Sequence, residues 1–375
     1  MNIKHFLCVI LGLFVIGSCG GRGNKVGGDG LSEVEMLYSK ELKIYEGDGY
    51  TVAEIRNPWD TVAVLHKYVL IKEGAANPGI ENATVVVVPI RNVAVYTSVH
   101  ASVIELLGEV GSIKGVCEGE YIDSKCIKEE MKSGRIVDFG SSMTPNVEMM
   151  LKEGVGAIIA TPFVNGSYGA AATIGVPIVE GADYMEAHPL GRAEWIKLYS
   201  RLFDKKDLGD SIFNETCRRY NYLMGQVSSA TGLKNPTVMS ERNYGSQWYA
   251  PGGRSYVATL YKDAGGDYIF ASDSTSGSLT LSLEKLIEYG VNTDIWLIKY
   301  NSADDLTYEQ LKNDFPPCAN FKSFKNRKIY GCNTGKVPYY EEMPIHPYHL
   351  LEDYIVIFHP NLLENGVLRY FTPLE

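Results

Sequence analysis

The sequence predicts an α/β protein of two lobes joined by a long helical segment, with a cleft between the lobes. Three observations carry that prediction. Short β-rich runs alternate with helical runs from residue 85 to 189. The alternation stops over 190–232, where no strand candidate occurs and apolar residues keep helical spacing. It then restarts and continues to the end of the chain. Such alternation argues for parallel sheets with helices on both faces, because parallel strands need a crossover connection. A chain of 375 residues is long enough for two such units.

Taken in order, the chain opens on Lys4 and His5, followed by an apolar run from Phe6 to Ile16 broken only by Gly12. A membrane-spanning helix needs about 20 apolar residues, so this run has the size of a signal-peptide core instead. Ile16-Gly17-Ser18-Cys19 then places small residues before a cysteine and resembles a bacterial lipobox. In a lipobox the cysteine is lipidated and everything before it is removed. Gly20 to Gly30 is Gly-rich and reads as a flexible tether.

Residues 41–72 read as antiparallel strands, with Gly47-Asp48-Gly49 as a turn and Tyr50 to Arg56 alternating polar and apolar. Val85–Val88, Val93–Tyr96, Ile113–Val116, Ile136–Phe139, Ala157–Ala160 and Val176–Val179 are the strand candidates of the first lobe. Ala101–Leu107 and Asn146–Glu153 are helices between them, the second with Pro145 near its start. Over the linking segment Trp195, Leu198, Leu202, Ile212, Tyr220 and Leu223 share helical periodicity, and Gly209 is a candidate bend. In the second lobe the strand candidates are Thr237–Met239, Tyr268–Phe270, Ile295–Lys299 and Lys328–Tyr330. Tyr256–Asp263, Leu281–Tyr289, Tyr308–Asp314 and Tyr348–Phe358 are the helices. These readings divide the chain into a signal peptide (1–18), a lipidated cysteine and tether (19–40), an N-terminal α/β lobe with leading strands (41–189), a linking segment (190–232) and a C-terminal α/β lobe (233–375).

Composition narrows the function. Apolar and charged contents of 45% and 21% are those of an ordinary soluble globular protein. A net charge of −10 argues against nucleic acid, which needs a basic footprint. An exported chain meets an oxidising compartment, so Cys117 with Cys126 and Cys318 with Cys332 are expected as short-range disulfides. Cys217 is left as a buried thiol. The cysteines lack zinc-site spacing.

The order of elements resembles the class III periplasmic substrate-binding proteins, the siderophore-, haem- and cobalamin-binding components of ATP-binding-cassette importers. The resemblance covers residues 85–375. It rests on Ala94-Val95-Tyr96-Thr97-Ser98-Val99-His100, on Thr144-Pro145-Asn146-Val147-Glu148 before Gly156-Ala157-Ile158-Ile159, on His188-Pro189-Leu190-Gly191-Arg192 opening the linking segment, and on Leu281-Ser282-Leu283-Glu284 before Thr293 to Ile298. It implies two Rossmann-like lobes joined by a rigid linking α-helix. It also implies that Glu148 and Glu284, one per lobe, dock on arginine pockets of the permease, where carboxylates pair well.

Ligand should sit in the cleft between the lobes, lined by loops at the carboxyl ends of strands. Tyr96, Ser98, His100, Phe163 and Tyr168 are the candidates on the first lobe, and Tyr244, Trp248, Tyr249 and Arg254 on the second. Tyr339, Tyr340 and His346 lie in a late segment that could also approach the cleft. The aromatics suit a large flat or macrocyclic ligand, and Arg254 could pair an anionic group. No set of three histidines with a carboxylate appears, so a chelated metal (ferric siderophore, haem or cobalamin) fits better than a bare ion, and no cofactor or metal ligand is assigned. His188, before Pro189, is expected to cap or pack locally.

The implied protein is a monomer, not an enzyme, held to the membrane by lipid, with permease and ATPase subunits as partners. Two alternatives belong to other classes. One is a surface lipoprotein that captures ligand without a permease. The other is an α/β enzyme, against which stands the lack of a Gly-x-Gly-x-x-Gly, Walker or Gly-x-Ser-x-Gly motif.

Overall fold

The computed structural model describes residues 30–375 apart from 61 and 165. The lipobox and its Cys19, with the tether up to residue 29, lie outside the described residues.

The first lobe is built on a parallel sheet in the order Ile178–Glu180, Ala157–Ala160, Val93–Val95, Ile113–Val116, Val137–Asp138. Its alternation is visible in the packing. Val93 and Val95 point to one core and Ala94 and Tyr96 to the other, as a period of two requires. The second lobe orders Asp267–Tyr268, Thr237–Ser240, Ile295–Tyr300 and Ile329–Asn333 in parallel, closed by an antiparallel Thr372–Pro373. Helices Tyr256–Asp263, Leu283–Gly290, Tyr308–Asp314 and Pro347–Phe358 surround it. The predicted α/β architecture of two lobes is present.

A third unit stands before them. Ser32–Val34, Leu42–Glu46, Tyr50–Arg56 and Val64–Lys72 form antiparallel neighbours, and Thr84–Val88 adds in parallel to the last. The β-rich run at Val85–Val88, read as the opening of the first lobe, therefore belongs to this leading sheet. Leu42, Ile44, Ile55, Tyr68 and Val86 face the same core as Val93, Ile104, Trp195 and Phe213. The folded body also reaches into residues that the sequence assigns to the tether. Glu194, fully buried, accepts the backbone N–H groups of Leu37, Tyr38 and Ser39 at 2.8–2.9 Å and the Lys197 ammonium at 2.7 Å. Glu186 accepts those of Lys40 and Glu41, and the Trp195 indole N–H at 2.9 Å. Two buried carboxylates thus fasten the segment 37–41 onto the linking region. Buried charges are tolerated when so fully satisfied.

The linking segment is three helices, Pro189–Glu194, Ile196–Leu202 and Lys206–Ser229. His188 caps the first, its Nδ1 accepting the Leu190 N–H at 3.1 Å, as expected. Gly209 lies within the 24-residue third helix. It marks a close approach, since a Cβ there would stand 2.1 Å from Ser200 Oγ. The third helix is bonded to the second lobe. Tyr220 donates to Asp263 at 2.6 Å, and Thr216 to the Ile345 carbonyl at 3.1 Å.

The expected disulfides are absent. All five cysteines from Cys117 onward are free thiols. Cys117 is buried at the end of strand Ile113–Val116, whereas Cys126 is exposed on helix Lys125–Lys132. Cys318 points at the Leu311 carbonyl, 3.7 Å away, and Cys332 is buried in its own strand. Burial pushes the Cys117 and Cys332 thiols up to about 12. They serve as small apolar side chains. Cys217 is only partly buried.

Candidate ligand-binding site

The carboxyl ends of both parallel sheets lie towards the junction of the lobes, where helix Ser98–Leu106 meets Tyr339–Glu342. Ser102 Oγ donates across this junction to the Glu341 carbonyl at 2.8 Å, and Thr259 Oγ1 to the Ala187 carbonyl at 3.1 Å. Ser98, half-buried at the start of its helix, lies beside the Glu341 carboxyl.

On the first lobe, Tyr96 directly follows strand Val93–Val95. It is buried, and its hydroxyl has no partner among the described residues. Its ring stands edge-on to Tyr168 at 6.3 Å. Tyr168 donates to Glu180 at 2.8 Å. Phe163, on the loop after Ala157–Ala160, is 41% exposed.

His100 is not open to a ligand. It is 1% exposed, with Nδ1 3.0 Å from Thr97 Oγ1 and Nε2 3.2 Å from the Tyr199 hydroxyl. Tyr199 donates to Asp183 at 3.0 Å, and Arg192 Nε donates to the other oxygen of Asp183 at 2.9 Å. Burial alone would raise the Asp183 carboxyl, but the Arg192 guanidinium and His100 outweigh it and hold it at about 2. Arg192 also stacks over the Tyr256 ring of the second lobe at 5.2 Å. This network belongs to the framework behind the cleft.

On the second lobe, strands Asn243–Tyr244, Gln247–Pro251 and Ser278–Ser282 form a small antiparallel sheet. The pleat sends alternate residues to opposite faces. Trp248 therefore points inward, fully buried, its indole N–H on the Ser240 carbonyl at 3.0 Å and its ring 5.4 Å from Phe270. It does not line the cleft. Tyr249 points outward at 44% exposure, and Tyr244 is 84% exposed. Arg254 is exposed at the rim of a cavity of about 860 Å³, shared with Lys40 and Glu41 of the leading segment, His188, Lys262 and Tyr268.

The structure adds residues that the sequence did not single out. Glu241 follows strand Thr237–Ser240 with φ +65°, in the left-handed region. It pairs with Lys299 at the end of strand Ile295–Tyr300. The Lys299 ammonium lies 5.7 Å above the Tyr339 ring. Tyr339 is buried, while neighbouring Tyr340 is 49% exposed. Glu241 and Lys299 carry no local motif, and only the strand ends bring them together.

A second cavity, of about 530 Å³, lies between helix Ser98–Leu106 and residues 336–346. His346 lines it with Nδ1 unpartnered among the described residues, and burial with nearby His349 pulls its imidazole down to about 4. Among the described residues no cluster of His, Cys, Asp or Glu could hold a metal ion, and no helix is long and apolar enough to cross a membrane.

Glu148 and Glu284 are exposed and occupy the first turns of Val147–Lys152 and Leu283–Gly290. Each helix runs back to a parallel strand, Ala157–Ala160 or Ile295–Tyr300. A crossover helix runs against its strands, so its first turn lies at their carboxyl ends. The two carboxylates thus hold equivalent places, one per lobe, on the cleft side.

Comparison with known proteins agrees with this geometry. Residues 93–334 match the family model described as periplasmic binding protein. The chain belongs to that family, and its fold is that of the two-lobed class III members. An uncharacterized lipoprotein of Methanocaldococcus jannaschii is 26% identical over 302 residues, covering 78% of this chain and 70% of the relative. A second uncharacterized lipoprotein of that organism is 22% identical, covering 91% of this chain and 87% of its own length. Among solved structures, a periplasmic heme binding protein from Pseudomonas aeruginosa superposes with a TM-score of 0.57 at 14% identity, covering 72% of this chain and 94% of that one. An ABC-type Fe3+-hydroxamate transport protein from Saccharomonospora viridis gives 0.54 at 15%, with 72% and 94% covered.

Proposed function

We propose that the protein is the ligand-capturing lipoprotein of an ATP-binding-cassette importer, anchored through Cys19 outside the cytoplasmic membrane. Its ligand is a large metal chelate, a ferric siderophore, haem or corrinoid. The observation that carries this reading is the set of exposed aromatics at the carboxyl ends of both sheets. Phe163 stands on one lobe, and Tyr244, Tyr249 and Tyr340 on the other. Aromatic rings gathered at strand ends suit a large flat ligand that covers them. The Glu241–Lys299 pair supplies polar anchors beside Tyr340. The haem and ferric hydroxamate relatives support an iron chelate.

The test is incubation of the purified protein with haem, a ferric hydroxamate and cobalamin in turn, followed by absorbance and native mass spectra. One class should give a stoichiometric complex with a shifted absorption band. Failure of all three to bind, or conversion of any into product, would sink the proposal.

A further inference from the structure

A third cavity lies where the leading sheet meets the first lobe. It holds about 250 Å³ and is walled by Asn57, Trp59 and Leu65 from the leading sheet, and by Phe163, Tyr168 and Glu180 from the first lobe. Trp59 sits on the hairpin between Tyr50–Arg56 and Val64–Lys72, a part of the chain outside the region that matches the family. Glu180 is the one charged residue among the described residues that line it, and it is 6% exposed.

The site is held in place from several sides. Tyr168 donates to one Glu180 oxygen at 2.8 Å, and His66 Nδ1 stands 2.5 Å from the other. His66 stacks on Tyr68, with ring centroids 5.3 Å apart, on the leading-sheet side of the carboxylate, and so does not fill the cavity. Gly166 lies against the Phe163 ring, where a Cβ would meet it at 2.5 Å. The Phe163 ring therefore depends on a glycine for its position.

Three aromatic side chains stand around one buried carboxylate, one oxygen of which pairs with His66, and no lysine or arginine is among the described residues that line the cavity. Ring faces attract cations electrostatically, and a carboxylate adds a counter-charge in a partly dry setting. We infer that this cavity is a binding subsite for an alkylammonium group, built jointly by the added leading sheet and the first lobe. Apart from Phe163, its wall comes from residues outside the aromatic set proposed for the main cleft.

The experiment is calorimetric titration with choline and, separately, with its neutral isostere bearing a tert-butyl group. Choline should bind, and the isostere should bind about tenfold more weakly or worse. Trp59→Ala and Glu180→Gln should each weaken choline by a similar factor, about tenfold. Trp59→Ala alters an exposed hairpin and tests the site even if Glu180→Gln disturbs the fold. A Tyr244→Ala, Tyr340→Ala variant should keep choline binding, which separates this subsite from the cleft. Absence of choline binding at millimolar concentration, or equal binding of the isostere, overturns the inference.

Discussion

Trp248 and Tyr249 are neighbours in the chain with opposite fates. The sequence places both among the cleft candidates, because aromatics suit a large flat ligand. They lie on a strand, and the pleat buries one and exposes the other. A Trp248→Ala change should therefore cost about 3–5 kcal/mol of stability through the cavity it leaves. Urea unfolding measures this, and ligand affinity of the folded variant should not change. An affinity loss with unaltered stability would return Trp248 to the cleft. His100 teaches the same lesson. Its neighbours in sequence suggested a ligand residue, yet its partners Tyr199 and Asp183 come from far along the chain.

At the scale of elements, the parallel strands of both lobes were legible because their runs are short, apolar and bounded by turn residues. Their partners were not. Val85–Val88 has the look of a first-lobe strand, but the edge of the leading sheet takes it. Nothing local distinguishes the two outcomes, since strand pairing is a long-range choice. The linking segment shows a related limit. Helical periodicity fixed its class, while its three-part bend depends on close packing of Ile196–Leu202 against Lys206–Ser229 at Gly209. Gly209→Ala should crowd Ser200 and cost about 1–3 kcal/mol, read as a lower thermal midpoint. An unchanged midpoint would show that the two helices can separate without penalty.

At the scale of the molecule, two lobes on one spine place Glu148 and Glu284 at equivalent ends. Their relation to a two-fold partner is a proposal that rests on this equivalence. Glu148→Ala with Glu284→Ala should leave ligand binding intact and abolish uptake in cells. Normal uptake by that variant removes both from a docking role. The fastening of residues 37–41 by Glu186 and Glu194 adds a mechanical consequence. These bonds tie the start of the described chain to the linking region and not to a lobe tip.

The sequence by itself determined the class of fold, the two-lobed order and the helical link. Those features are written in local periodicity and in the spacing of motifs, which neighbouring residues set. Tertiary structure decided which aromatics face outward, that the five cysteines from Cys117 onward are unpaired, and that the leading sheet walls a cavity with the first lobe. Each of these depends on residues distant in the chain meeting in space. Side-chain exposure, thiol separation and cavity walls are properties of such meetings, and no local pattern encodes them.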